Sequence, residues 1–171
     1  MNDVDALIRA LIHGERQPAD DDATTILEHI AGSTFYPGRR NIPRPLQELM
    51  IRHGYEVPDR GDDLIYHWAK HVLADQQWTV DTTATAYFQF AVRAVTHPAS
   101  RLLVQFAPSG HRVAVVISAV DDIVPLASQG ARSGRNLLVV YSADVGRIVS
   151  AHMTASTSRI TSRTGTVWLR R

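Results

Sequence analysis

Residues 98–120 read Pro98-Ala99-Ser100-Arg101-Leu102-Leu103-Val104-Gln105-Phe106-Ala107-Pro108-Ser109-Gly110-His111-Arg112-Val113-Ala114-Val115-Val116-Ile117-Ser118-Ala119-Val120. Before Pro98, apolar residues recur at helical spacing. After it the period shortens to two. Leu102 to Ala107 reads as one strand, Pro108-Ser109-Gly110 as a turn, and Arg112 to Val120 as a second strand. The near-continuous apolar run of the second strand suits a central position, buried on both faces.

Towards the C-terminus, Asp121 to Arg135 reads as a long Gly/Ser-rich loop. Asn136 to Ser142 is a third strand, Ala143-Asp144-Val145-Gly146 a tight turn, and Arg147 to Ala155 a fourth strand. Thr166 to Leu169 is a short fifth strand, with Ser158 to Ser162 a further short segment ahead of it. Towards the N-terminus the pattern is helical. Val4, Leu7, Ile8, Leu11 and Ile12 form one stripe, and Ile26, Leu27 and Ile30 a second that Gly32 stops. Ser33 to Pro45, with three prolines and a glycine, is a loop, and Leu46 to His53 a short helix. Asp62 caps a helix running to about Gln76, and Thr82 or Thr83 caps another from Ala84 to about Thr96. Helices followed by strands predict an α+β fold, N-terminal helices before a four- to five-stranded antiparallel sheet. The organisation divides at residue 76, into an acidic helical region (1–76) and a basic helix-plus-sheet domain (77–171), or forms one continuous domain.

The 171 residues are 44% hydrophobic and 20% charged, enough for a real core and too few for a large two-lobed enzyme. No apolar run is long enough to span a membrane, and Met1 to His13 lacks the basic start of a secretory signal. With no cysteine there is no disulfide framework, thiolate metal site or cysteine nucleophile. That composition fits the cytoplasm and leaves open export by a signal-free route. The net charge of +1 conceals an asymmetry: residues 1–86 carry 8 basic and 14 acidic side chains, residues 87–171 carry 10 basic and 3 acidic. The basic half either offers a surface to phosphates or docks against the acidic helices.

Several chemistries are excluded by what is missing. There is no Walker-type loop and no GxGxxG after a strand, and no GxSxG elbow. Acidic residues are too sparse in the sheet half for a two-carboxylate glycosidase or a carboxylate-held two-metal nuclease there. His67 and His71, at i and i+4, have zinc-chelating spacing but no third ligand, so they read as a partly exposed helix face and no metal is expected. The loop Phe35-Tyr36-Pro37-Gly38-Arg39-Arg40 could stack on bases, or serve as a connector whose aromatics pack. Asp121-Asp122 reads as a strand-ending turn, Trp168 as core, and Arg170-Arg171 as a frayed basic end.

In the fourth strand Ser150, His152 and Thr154 alternate, and so share a face, with Val149, Ala151 and Met153 on the other. His111 and Arg112 open the second strand, and Arg132 and Arg135 lie in the long loop. This resembles the working surface of a metal-independent ribonuclease, in which histidines move protons to and from the 2′-OH and leaving oxygens, and arginine holds the phosphate. The other reading of the same residues is the solvated face of an edge strand.

Three pieces also carry a family resemblance: Trp78 to Thr83, Tyr87 to Val95 closing in His97-Pro98, and Leu138 to His152. Together they resemble the C-terminal nuclease domains of bacterial contact-dependent and polymorphic toxins. The resemblance implies helices followed by a four-stranded antiparallel sheet, a fold shared by barnase, RelE and colicin-type tRNases. Members often end a strand in an "ivTxY"-like motif whose hydroxyl and ring line the active site. The corresponding piece is Ile148-Val149-Ser150-Ala151-His152, with Ser in place of Thr and His in place of Tyr.

The expected function is a metal-independent RNase toxin without a cofactor, cleaving tRNA or other RNA by 2′-OH attack, with a cognate immunity or antitoxin protein as partner. His111 and His152 are the expected acid and base, Ser150 and Thr154 position the substrate, and Arg112, Arg132, Arg135 and Arg159 hold phosphate. The alternative is a non-catalytic binding partner, immunity-like or phage regulatory, acting through its acidic helical half.

Overall fold

The hairpin read from residues 102–120 anchors the architecture. The computed structural model describes residues 3–38 and 40–171. The helices are α1 (Asp3–Ile12), α2 (Asp22–Ala31), α3 (Arg44–Arg52), α4 (Asp63–Trp68) and α5 (Ala84–Thr96). The strands are β1 (Arg101–Ala107), β2 (Gly110–Ile117), β3 (Asn136–Ser142), β4 (Arg147–Thr154) and β5 (Val167–Arg170). Among the described residues, short helices α6 (Val120–Ile123) and α7 (Ser158–Thr161) and a 3-10 turn (Leu126–Ser128) interrupt the sheet half. The fold is therefore α+β, with an antiparallel sheet of order β4-β3-β2-β1-β5. None of the helices is long and apolar enough, among the described residues, to cross a membrane.

The sheet is a meander only through β4. After β4 the chain crosses back over the sheet and adds β5 beside β1, pairing Leu103 with Trp168 and Val104 with Val167. That crossing segment, residues 155–166, is tied to the sheet where Gln105 donates to the Ile160 carbonyl (3.0 Å) and the Thr166 hydroxyl (2.9 Å). The second strand ends at Ile117, not Val120, because Val120 already belongs to α6. Ser158 to Ser162 forms the turn of α7, which adds no strand.

The two faces of the sheet are covered unequally. Val113, Val115, Ile117, Leu137, Val139 and Tyr141 face the helices. They share one core with Ile8, Ile26, Met50, Trp68, Val72 and Tyr87, so both charge halves contribute to it. Leu103, Ala114, Val116, Leu138 and Val140 form a smaller cluster on the second face, with Val149, Ile160 and Trp168 packed against it. A bulge between Val140 and Tyr141 reverses the parity of β4 at this point. Ile148, Ala151 and Met153 face the helical core while Val149 joins the second face, so the expected grouping of Val149 with Ala151 and Met153 is corrected.

The caps behave as their chemistry requires. The Asp62 carboxylate accepts from the Ile65 N–H (2.9 Å), and the Thr83 hydroxyl accepts from the Ala86 N–H (3.1 Å). The helix from Asp62, however, changes register at Trp68, and residues Ala69–Ala74 continue as a π-helix. Phe35 lies in the core beside the Tyr87 and Phe88 rings, at centroid distances of 5.9 and 6.0 Å, so this aromatic of the proline-rich loop packs. Arg39 of that loop lies outside the described residues.

Candidate functional site

The second face carries a cleft of about 630 Å³ between β3, β4 and the crossing segment. Arg112, Leu138, His152, Thr154, Arg159 and Arg163 are among its walls, with Ser156, Thr157 and Ser158 at the rim. Strand pairing explains the wall: His152 lies opposite Leu138, which lies opposite Val116, all on the second face. The Arg112 guanidinium is held by Gln105, whose side-chain oxygen accepts from Nε (3.0 Å) and Nη2. Arg163 Nε is buried without a hydrogen-bond partner among the described residues. Burial, and then the charge of Arg163, pull the Arg112 pKa down from its ordinary value. Among the described residues no carboxylate pairs with Arg112, Arg159 or Arg163. A cluster of cations with unspent donors and no counter-charge is an anion site in chemical terms.

His152 forms one edge of this cleft. Its Nδ1 lies 3.3 Å from the Ser150 hydroxyl, which leaves Nε2 for a substrate. Its ring stacks on that of His71 at 5.3 Å, and His71 stacks on His67 at 5.6 Å. His71 Nδ1 is 2.9 Å from the Asp75 carboxylate. Burial holds all three imidazoles below the ordinary histidine range, with neighbouring positive charge adding to it. His67 and His71 are pushed down to about 3. Lys70 lowers and Asp75 raises the His152 value. At neutral pH His152 is a neutral imidazole, in a cleft that Arg112, Arg159 and Arg163 also line. His71 is buried, not part of an exposed face as its spacing suggested, because the π-helical turn packs it beneath the β4 edge. Among the described residues no group of three His, Asp or Glu side chains is placed to hold a metal ion.

The expected His111–His152 pair is not assembled. His111 lies five positions along β2 from Val116 and two strands away from β4, roughly 19 Å from His152. It also has the parity of Val113 and faces the helices. There it forms a separate relay: His111 Nδ1 is 2.9 Å from Asp144 Oδ1, and its Nε2 is 2.7 Å from His13 Nε2 at the end of α1. The His111 backbone N–H donates to the other Asp144 oxygen (2.8 Å), and Arg9 lies 3.4 Å from the same carboxylate. This close approach needs a glycine: Gly110 has φ +104°, and a Cβ there would meet Asp144 Oδ2.

The remaining expected residues divide. Arg112, Arg159, Thr154 and His152 line the cleft, and Ser150 lies behind His152. Arg132 and Arg135 are exposed and line no part of it, because the loop that carries them folds towards Gln76 and the end of β4. Arg163, His71 and Asp75 were missed as members of the site. Arg163 falls four residues after Arg159, a spacing that could have joined the two. Asp75 follows His71 by four residues in the same way.

No protein-family model, curated protein or solved structure matches this chain.

Proposed function

We propose that the protein binds RNA at the arginine cleft and cleaves it without a metal, in the manner of a toxin ribonuclease. The observation that carries this reading is one cleft lined by His152 together with Arg112, Arg159 and Arg163, with no carboxylate in its walls. Arginine forks match phosphate oxygens and stabilise the charge that develops on a five-coordinate phosphorus. His152 Nε2 takes the 2′-OH proton. The 2′-oxygen then attacks phosphorus, the P–O5′ bond breaks, and the products are a 2′,3′-cyclic phosphate and a 5′-hydroxyl. The leaving 5′-oxygen takes its proton from water, and Lys70 acts only through its charge on His152. The Thr157 and Ser158 hydroxyls at the rim would donate to non-bridging oxygens, while the Thr154 hydroxyl donates to the Ser156 carbonyl and shapes that rim.

The test is incubation of purified protein with total bacterial RNA in EDTA, beside His152→Ala and Arg112→Gln. Fragments from the wild type, reduced at least about 100-fold in His152→Ala, support the reading, since positioned acid–base groups are worth that much or more. Intact RNA in every lane, with or without magnesium, favours the non-catalytic partner.

A further inference from the structure

We infer that the RNA held in the cleft is single-stranded and extends across α7 to a second contact, a nucleobase stacked at Trp168. The inference rests on the RNA reading above and names the substrate's conformation and a further binding residue. Trp168 was expected in the core, but it is only partly buried, and the guanidinium carbons of Arg101 and Arg171 lie 5.8 and 5.6 Å from its ring centre. Arg171 is therefore not simply a frayed end. Both guanidinium groups lie over the indole, and a base that stacks there takes their place on the π-surface while they turn to the backbone phosphates beside it.

The topology places this platform on the same face as the cleft. Trp168 lies opposite Leu103, Leu103 opposite Ala114, Ala114 opposite Val140, and Val140 opposite Ser150. Trp168 and the Ser150–His152 edge are thus the two ends of one row, four strand spacings or about 19 Å apart. Between them runs α7. Arg159 and Arg163 line the cleft and also a second, polar depression of about 440 Å³ with Ser162 and Thr164, so basic groups continue over the top of the crossing segment. A duplex is too stiff to follow this path and keeps its bases stacked inside; a single strand of several nucleotides can place a phosphate at Arg112 and a base at Trp168.

Trp168 can be observed directly, because Trp68 and Trp78 are 2% and 1% exposed. The experiment titrates the protein with a 2′-O-methyl RNA 12-mer, which lacks the attacking hydroxyl, and follows tryptophan fluorescence and iodide quenching. The expected result is quenching by the single strand, protection from iodide, and little response to a dinucleotide or to the 12-mer in a duplex. Trp168→Leu should weaken 12-mer binding about 10- to 100-fold, and Trp168→Phe should retain most of it. Unchanged fluorescence and iodide access at saturating 12-mer overturn the inference without needing a variant. If that occurs while Arg112→Gln and Arg163→Gln still weaken binding, the cleft reading stands and only the Trp168 contact fails. If those arginine variants bind like the wild type, the RNA reading itself fails.

Discussion

At the scale of single residues, the protein separates its histidines into two environments with opposite consequences. Asp144, His111 and His13 form an accessible hydrogen-bonded relay at one end of the helical face, whereas His67, His71 and His152 are stacked and desolvated. Asp144→Asn should cost about 1–2 kcal/mol in urea unfolding, because it weakens the Arg9 and His111 contacts. The same change should leave RNA cleavage within about two-fold, since His152 is on the other face. Loss of cleavage in a folded Asp144→Asn or His111→Ala protein would restore His111 to the reaction. The stacked cluster also sets a pH dependence. His67 and His71 have folded values of about 3, so the unfolded chain takes up protons first as pH falls. Their contribution is full above the ordinary histidine value and is lost between about 6.5 and 3. Stability should fall as pH is lowered through that window, measured by denaturant midpoints. Stability that is flat from pH 7 to 4 would contradict the burial of the stack. In catalysis, Lys70→Met should move the acid limb of the rate profile to higher pH and Asp75→Asn to lower pH, following the charges that act on His152.

At the scale of elements, what could be read in advance follows from which forces are local. β3 was read with its observed ends because its apolar run is bounded by the polar Arg135 and the Ala143–Gly146 turn. Asp62, and Thr82 or Thr83, read as caps because a side-chain oxygen before an apolar stripe is a local signal; Thr83 is the one that caps. The π-helix and the β4 bulge were not legible: each inserts a residue without changing composition, and only packing across the sheet selects it. Those two irregularities bring His71 to His152 and keep Val149 apart from Ala151, so the site was legible residue by residue and not as an assembly. The 121–135 loop is held by another non-local fit. Gly130 N–H donates to the Gln77 carbonyl (3.0 Å), and a Cβ at Gly130 would lie 2.2 Å from the Gln76 oxygen. Gly130→Ala should therefore destabilise by roughly 1–3 kcal/mol, seen as a Tm several degrees lower. An unchanged Tm would mean that the loop does not pack on Gln76.

At the scale of the whole molecule, the charge contrast along the chain becomes a contrast between faces. The helices cover one face and share its core, while the thinly covered second face gathers Arg112, Arg159 and Arg163. A chain beginning at Gln77 would lose Ile8, Ile26, Met50, Trp68 and Val72 from the common core. It should give no cooperative thermal transition; a folded 77–171 fragment would contradict a single core. Binding of single-stranded RNA should weaken with salt, with a log–log slope near −2 for three arginine–phosphate contacts, and the slope should shrink in Arg112→Gln. The central claim is that His152 opens the RNA chain by 2′-OH attack inside the arginine cleft. Its most direct measurement is end-group analysis of RNA incubated in EDTA with the wild type and with His152→Ala. Fragments ending in 2′,3′-cyclic phosphate and beginning with 5′-hydroxyl, from the wild type alone, are the expected result. Intact RNA with both proteins, or the same fragments at the same rate from both, would contradict it.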